Sequence, residues 1–214
     1  TDGTFLFASE QKAILSNTDI QRKIDLDALL EYFTFQNIFT DKTLHKGIKI
    51  FPAGCTSHIT TKKPGCELSP SRYWDFDFRE PENPATDDEY LEELDFLLRQ
   101  AVNRQLVSDV EVGTYLSGGM DSGSITSIAA KQLPYIKTFT CGFDLNSASG
   151  LELGYDERQK AEFMSYLFKT EHYEMVLKAG DMERVLSEFA WHLEEPRVGQ
   201  SYPNYYVAQL ASKF

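Results

Sequence analysis

The chain has 214 residues, a formal net charge of −12, and 42% hydrophobic and 13% aromatic residues. That is enough apolar material for one domain, or for one domain and part of another. The acidic balance argues against nucleic acid and anionic membranes as partners, and no run approaches the roughly 20 apolar residues of a membrane-spanning helix.

The first residues, Thr1-Asp2-Gly3-Thr4, show no basic region followed by an apolar run. Cys55, Cys66 and Cys141 lack metal-ligand spacing. The expected setting is therefore the reducing cytoplasm, with three free thiols and no Cys55–Cys66 disulfide.

Residues 1–79 read as short strands and helices. Phe5-Leu6-Phe7-Ala8 is a short apolar run, and Asp2 to Phe5 reads as a hairpin, so Thr1 is not expected to act as a nucleophile. Asp25 is placed to cap a helix with Leu26, Leu29, Leu30 and Phe33 on one face. Gly47 to Ile59, with Pro52 and Gly54 inside it, suggests strand, turn and strand. Residues 80–85, Glu-Pro-Glu-Asn-Pro-Ala, form a polar linker stiffened by two prolines.

From residue 86 the pattern changes. Thr86 and Glu89 make a capping box ahead of Leu91, Leu94, Leu97, Leu98, Ala101 and Val102 at helical spacing. Strand-like segments Val110–Leu116, Ile136–Phe143 and His172–Leu177 then alternate with helix-like segments. Those helices run over Ser122–Gln132, from a cap at Asp156 to Phe168, and from a cap at Asp181 to about His192. Tyr202, Tyr205 and Tyr206 open a further helix, where packing is the expected role. This alternation predicts an α/β fold: a parallel sheet with helices on both faces.

The chemistry sits at Ser117-Gly118-Gly119-Met120-Asp121-Ser122, between a strand and a helix. Two glycines let backbone approach phosphate oxygens, and the first amides of the next helix point at the anion. Ser117 and Ser122 offer hydroxyl donors. Asp121 beside phosphate makes sense if Mg²⁺ lies between them, which is the usual setting for that ion. The segment therefore reads as a Mg·ATP site, against the plainer reading of a glycine turn with Asp121 as the helix cap. It lacks the Gly-x-x-x-x-Gly-Lys-Ser/Thr pattern of a Walker loop.

This hexapeptide resembles the signature of the ATP pyrophosphatase group, and other segments point to its glutamine-dependent asparagine synthetase family. Phe7-Ala8-Ser9-Glu10-Gln11-Lys12-Ala13-Ile14-Leu15, Gly47 to Gly54, Arg72-Tyr73-Trp74, Thr138 to Asp144, Tyr155-Asp156-Glu157 and Glu171 to Glu174 resemble family motifs in the right order.

The resemblance implies that residues 1–79 are the C-terminal part of an N-terminal-nucleophile α+β glutaminase domain. Residues 86–214 would be the first part of an adenine nucleotide alpha hydrolase-like synthetase domain. It implies a ligase that activates aspartate as β-aspartyl-AMP, releases pyrophosphate and adds ammonia from glutamine. Ser117, Gly118, Gly119, Asp121 and Ser122 would hold pyrophosphate and Mg²⁺, with Asp121 the metal ligand. The backbone at Leu116, Cys141 and Gly142 would meet adenine or ribose.

The expected partners are small molecules, with neither nucleic acid nor membrane among them. Apolar docking faces would favour self-association. The family's N-terminal Cys nucleophile, glutamine-pocket motifs and later Ser-Gly-x-Gly-x-Asp-Glu are absent, so the chain reads as the middle of a longer protein with no glutaminase catalytic residue of its own. A related adenylating amidotransferase, a β-lactam synthetase-like enzyme and a non-catalytic nucleotide-binding module remain alternatives. Glu194-Glu195-Pro196 is a candidate for facing substrate or Mg²⁺.

Overall fold

A computed structural model describes residues 4–60, 68–147, 150, 154–197 and 201–214; Thr1 and Cys66 lie outside them. The chain divides into two compact units, Thr1–Glu80 with Ala190–Gly199, and Pro81–Phe189 with Gln200–Phe214.

In the first unit, α1 covers Gln11–Leu15 and α2 covers Leu26–Phe35. The Asp25 carboxylate caps α2 by accepting from the Asp27 and Ala28 amides, both at 3.1 Å. The helix ends at Gln36 in the left-handed region. Its apolar stripe is not core within this unit: Ala28 is buried, whereas Leu26, Leu30 and Phe33 are exposed. A stripe is buried only when another face meets it, and helical spacing says nothing about whether one does.

The strand, turn and strand expected over 47–59 is reduced to less. An isolated bridge joins Lys42 and Lys49. After the turn at Gly54, β1 (Cys55–Thr56) pairs antiparallel with β2 (Ser71–Arg72). Trp74 is exposed and stands edge-on to Phe76.

The second unit begins with α3, Asp87–Gln105. Its capping box is present: the Thr86 hydroxyl accepts from the Glu89 amide, and the Glu89 carboxylate accepts from the Thr86 amide at 2.9 Å. Only the later part of the helix reaches a core. Val102 packs with Ile128, Ala129 and Ile136, while Leu91 and Leu94 are exposed.

Strands β3 (Gly113–Tyr115), β4 (Lys137–Phe143) and β5 (Glu171–Leu177) form a parallel sheet in that order. Helix α4 (Met120–Gln132) joins the first two, and α5 (Arg158–Phe168) lies between the second and third. Helices α6 (Asp181–Leu193) and α7 (Ser201–Ala211) follow.

Alternation along β4 assigns its two faces. Phe139 packs with Val207 and Leu210 of α7, and Phe143 with Leu177, Val185 and Tyr206. Tyr206 also donates its hydroxyl to the Asp181 carbonyl at 3.0 Å. The opposite face carries Thr138, fully buried, 3.0 Å from the Thr170 hydroxyl and 2.8 Å from His172 Nδ1. His172 is thus tied into structure, and burial pushes its pKa down against the opposing pull of Glu174 and Glu162. The architecture is α/β, as the alternation predicts. No helix among the described residues is long and apolar enough to cross a membrane.

Candidate functional site

Strand β3 ends at Tyr115, but its ladder continues one residue, because the Leu116 amide donates to the Phe139 carbonyl at 2.9 Å. Leu116 is buried, which anchors the loop to the sheet before the chain turns. Gly118 takes φ +78°, where a side chain is strained. A Cβ there would overlap Lys160 and come within 3.0 Å of the Ala161 nitrogen, so the loop sits directly against α5.

The two serines close a small ring of hydrogen bonds. Ser122 Oγ accepts from the Ser117 amide at 3.2 Å and donates to the Gly119 carbonyl at 3.3 Å. Ser117 Oγ accepts from the Gly119 amide at 3.3 Å and lies 3.0 Å from Ser122 Oγ. Either hydroxyl can donate in that pair, and the Ser122 proton has the Gly119 carbonyl as a second acceptor. The two hydroxyls are thus engaged in shaping the loop. An arriving phosphate would compete for the Ser122 proton, whose present bond is long.

The N-cap of α4 is Gly119, with no side-chain cap. That removes the plainer reading of Asp121 as the cap. Asp121 lies one residue inside the helix, exposed, and among the described residues no donor engages its carboxylate. The first-turn amides of α4 therefore face outward without an internal acceptor. Among the described residues no cluster of three or more candidate metal ligands exists, and Asp121 is the one carboxylate of the loop.

Continuing the β3–β4 register, in which Tyr115 pairs with Phe139, brings Ser117 level with Cys141. Both therefore lie toward the carboxyl ends of adjacent parallel strands, where open α/β sheets bind ligands. The Cys141 side chain packs with Phe139 and Phe143 on the α7 face. Burial, reinforced by Asp156, pushes its thiol up to about 11.

Gly142 is covered by a pair that the sequence reading missed. Arg158 donates from Nε to Asp156 at 3.0 Å and from Nη2 at 2.6 Å, and it reaches the Phe143 carbonyl at 3.1 Å. A Cβ on Gly142 would collide with both side chains. Arg158 holds the Asp156 carboxyl below its usual range despite partial burial. The available signal was the Asp-x-Arg spacing ahead of a helix, which is too common to act on.

Glu194 is not free for substrate or Mg²⁺. Within the first unit its carboxylate accepts from the Gln11 amide at 2.8 Å and the Lys12 amide at 2.7 Å, where α1 begins. Lys12 Nζ lies 3.4 Å from it, and Gln11 Nε2 donates to Glu195 at 3.2 Å.

With this geometry in view, the family profile described as asparagine synthase matches residues 93–214, and that described as glutamine amidotransferase domain matches residues 1–74. The chain belongs to the asparagine synthase family.

Similar proteins include a putative glutamine-hydrolyzing asparagine synthetase of Mycobacterium tuberculosis, 30% identical over 96% of this chain and 31% of the relative. Glutamine-hydrolyzing asparagine synthetase 1 of Bacillus subtilis is 30% identical over 97% of this chain and 31% of its own length. A putative second synthetase of Methanocaldococcus jannaschii is 31% identical over 98% of this chain and 39% of its own. The chain thus spans about a third of the length of the curated relatives it matches.

Proposed function

We propose that this chain is part of a glutamine-dependent asparagine synthetase, an ATP-dependent ligase that forms an amide. Residues 1–79 belong to the C-terminal part of its N-terminal-nucleophile glutaminase domain. Residues 80–85 are the linker, and 86–214 open the adenine nucleotide alpha hydrolase-like synthetase domain. The family matches to both halves support this, as do the names of the relatives. The observation that carries the site is the closed Ser117–Ser122 loop at the carboxyl end of β3, leading into a helix with no side-chain cap.

In this reading the loop backbone and the α4 amides grip the β- and γ-phosphates of ATP. The hydroxyls of Ser117 and Ser122 hold the loop in the shape that receives them. Backbone at Leu116, Cys141 and Gly142 meets adenine and ribose. Mg²⁺ held between Asp121 and phosphate oxygens would offset their charge. The β-carboxylate of aspartate attacks the α-phosphorus, the bond to pyrophosphate breaks, and β-aspartyl-AMP forms. Ammonia released from glutamine then attacks the acyl carbon and AMP leaves with the bonding pair. The reaction is placed in the cytoplasm.

The test uses the full-length protein. Aspartate-dependent exchange of labelled pyrophosphate into ATP is expected, and exchange indifferent to aspartate overturns the substrate. Asp121→Asn is expected to weaken Mg·ATP roughly ten- to a hundredfold with melting unchanged, because a neutral amide is a poor ligand for a hard cation. Equal affinity in variant and parent overturns the metal role.

A further inference from the structure

Beside the loop stands a cation with no partner yet assigned. The space that a Cβ on Gly118 would fill is taken by the Cβ of Lys160, in the first turn of α5. The root of this long side chain therefore touches the loop backbone, and the residue is exposed. Among the described residues no carboxylate pairs with it. That is unusual locally, since Arg158, two residues earlier, is fully engaged by Asp156 and the Phe143 carbonyl.

The loop itself needs such a group. Residues 117–122 contain no Lys or Arg, and their one charged side chain is Asp121. The two serine hydroxyls already bond to each other within the loop. Apart from Mg²⁺ at Asp121, only backbone amides would face an anion of several negative charges. A Lys ammonium on its flexible four-carbon stem is suited to this, acting as a mobile point charge toward phosphate.

We propose that Lys160 is a further binding residue for the diphosphate group, its ammonium reaching over Gly118 to the oxygens held by the Ser117–Ser122 loop. This rests on the reading of that loop as the pyrophosphate site. It assigns α5 a part in binding as well as in packing. The two sources of the group are the β,γ-phosphates of ATP and free pyrophosphate.

Calorimetric titration of the full-length protein tests this, with Mg·pyrophosphate, Mg·ATP and adenosine as separate probes. Lys160→Gln keeps the Cβ that packs on Gly118 and removes the charge. Its expected effect is a roughly tenfold loss of affinity for Mg·pyrophosphate and Mg·ATP, with adenosine binding and thermal melting unchanged. Lys160→Arg is expected to retain most of the affinity. If the parent binds Mg·pyrophosphate and Lys160→Gln binds it equally well, the role of Lys160 is overturned while the loop reading stands. If the parent does not bind Mg·pyrophosphate, the loop reading fails and this assignment fails with it.

Discussion

Gly118 and Lys160 share one small space: a Cβ on the glycine would overlap the Cβ of the lysine, 42 residues later, and lie 3.0 Å from the next backbone nitrogen. The loop is thereby held from the sheet side by Leu116 and from the helix side by α5.

Gly118→Ala should therefore be costly twice over. The left-handed backbone adds about 1–2 kcal/mol, and the overlap with a fixed helix adds about 1–3 kcal/mol. Gly180→Ala is the control, since Gly180 also has positive φ, +86°, but nothing within 4 Å of the added Cβ. Denaturant melts should show the first variant destabilised by more than the second. Equal losses would mean that α5 yields freely.

Glu194 should make the start of α1 sensitive to pH. Burial pushes its pKa up, but hydrogen bonds from the Lys12 and Gln11 amides and the charge of Lys12 more than offset this, leaving it below 4.5. A carboxylate lowered in the folded state contributes stability that is present above its ordinary value and lost as pH falls through the folded value. Amide hydrogen exchange should show Gln11 and Lys12 protected at neutral pH and released in acid below that range. Glu194→Gln should release them at neutral pH, at a local cost of about 2 kcal/mol. Full protection in that variant would remove the carboxylate from the account.

Cys141 should be a poor nucleophile. With its thiol at about 11, its thiolate fraction at pH 8 is roughly a hundredfold below that of an ordinary cysteine. Alkylation followed by peptide mass spectrometry should show slow labelling at pH 8 that accelerates as pH approaches the thiol's value. Rapid labelling at pH 8 would show that the packing against Phe139 and Phe143 opens readily.

Much of the second unit was legible because its signals are local. The Thr86–Glu89 box, the three apolar strand segments and the helices between them are each written within a few neighbouring residues. The loop was legible for the same reason. Less legible was anything decided by contact between distant segments. Leu26, Leu30 and Phe33 have helical spacing, but spacing does not say what lies opposite them. The short helix α1 has too few residues for periodicity to reveal it, and its capping carboxylate comes from Glu194, 182 residues away from Lys12. Strand content over 47–59 was overread because, among the described residues, strand-forming residues there find one isolated bridge and one two-residue pairing.

The tie between Gln11 and Glu194 also bears on the order of assembly. The first compact unit is discontinuous, and its last portion, Ala190–Gly199, follows all of 81–189 in the chain. On a translating ribosome, α1 emerges long before the carboxylate that caps it. The nascent first unit must wait, with its α1 amides bonded to water, while the intervening strands and helices emerge and pair. Its closure is a late event set by a contact of high sequence separation, so the unit that begins first is completed after most of the second has been made.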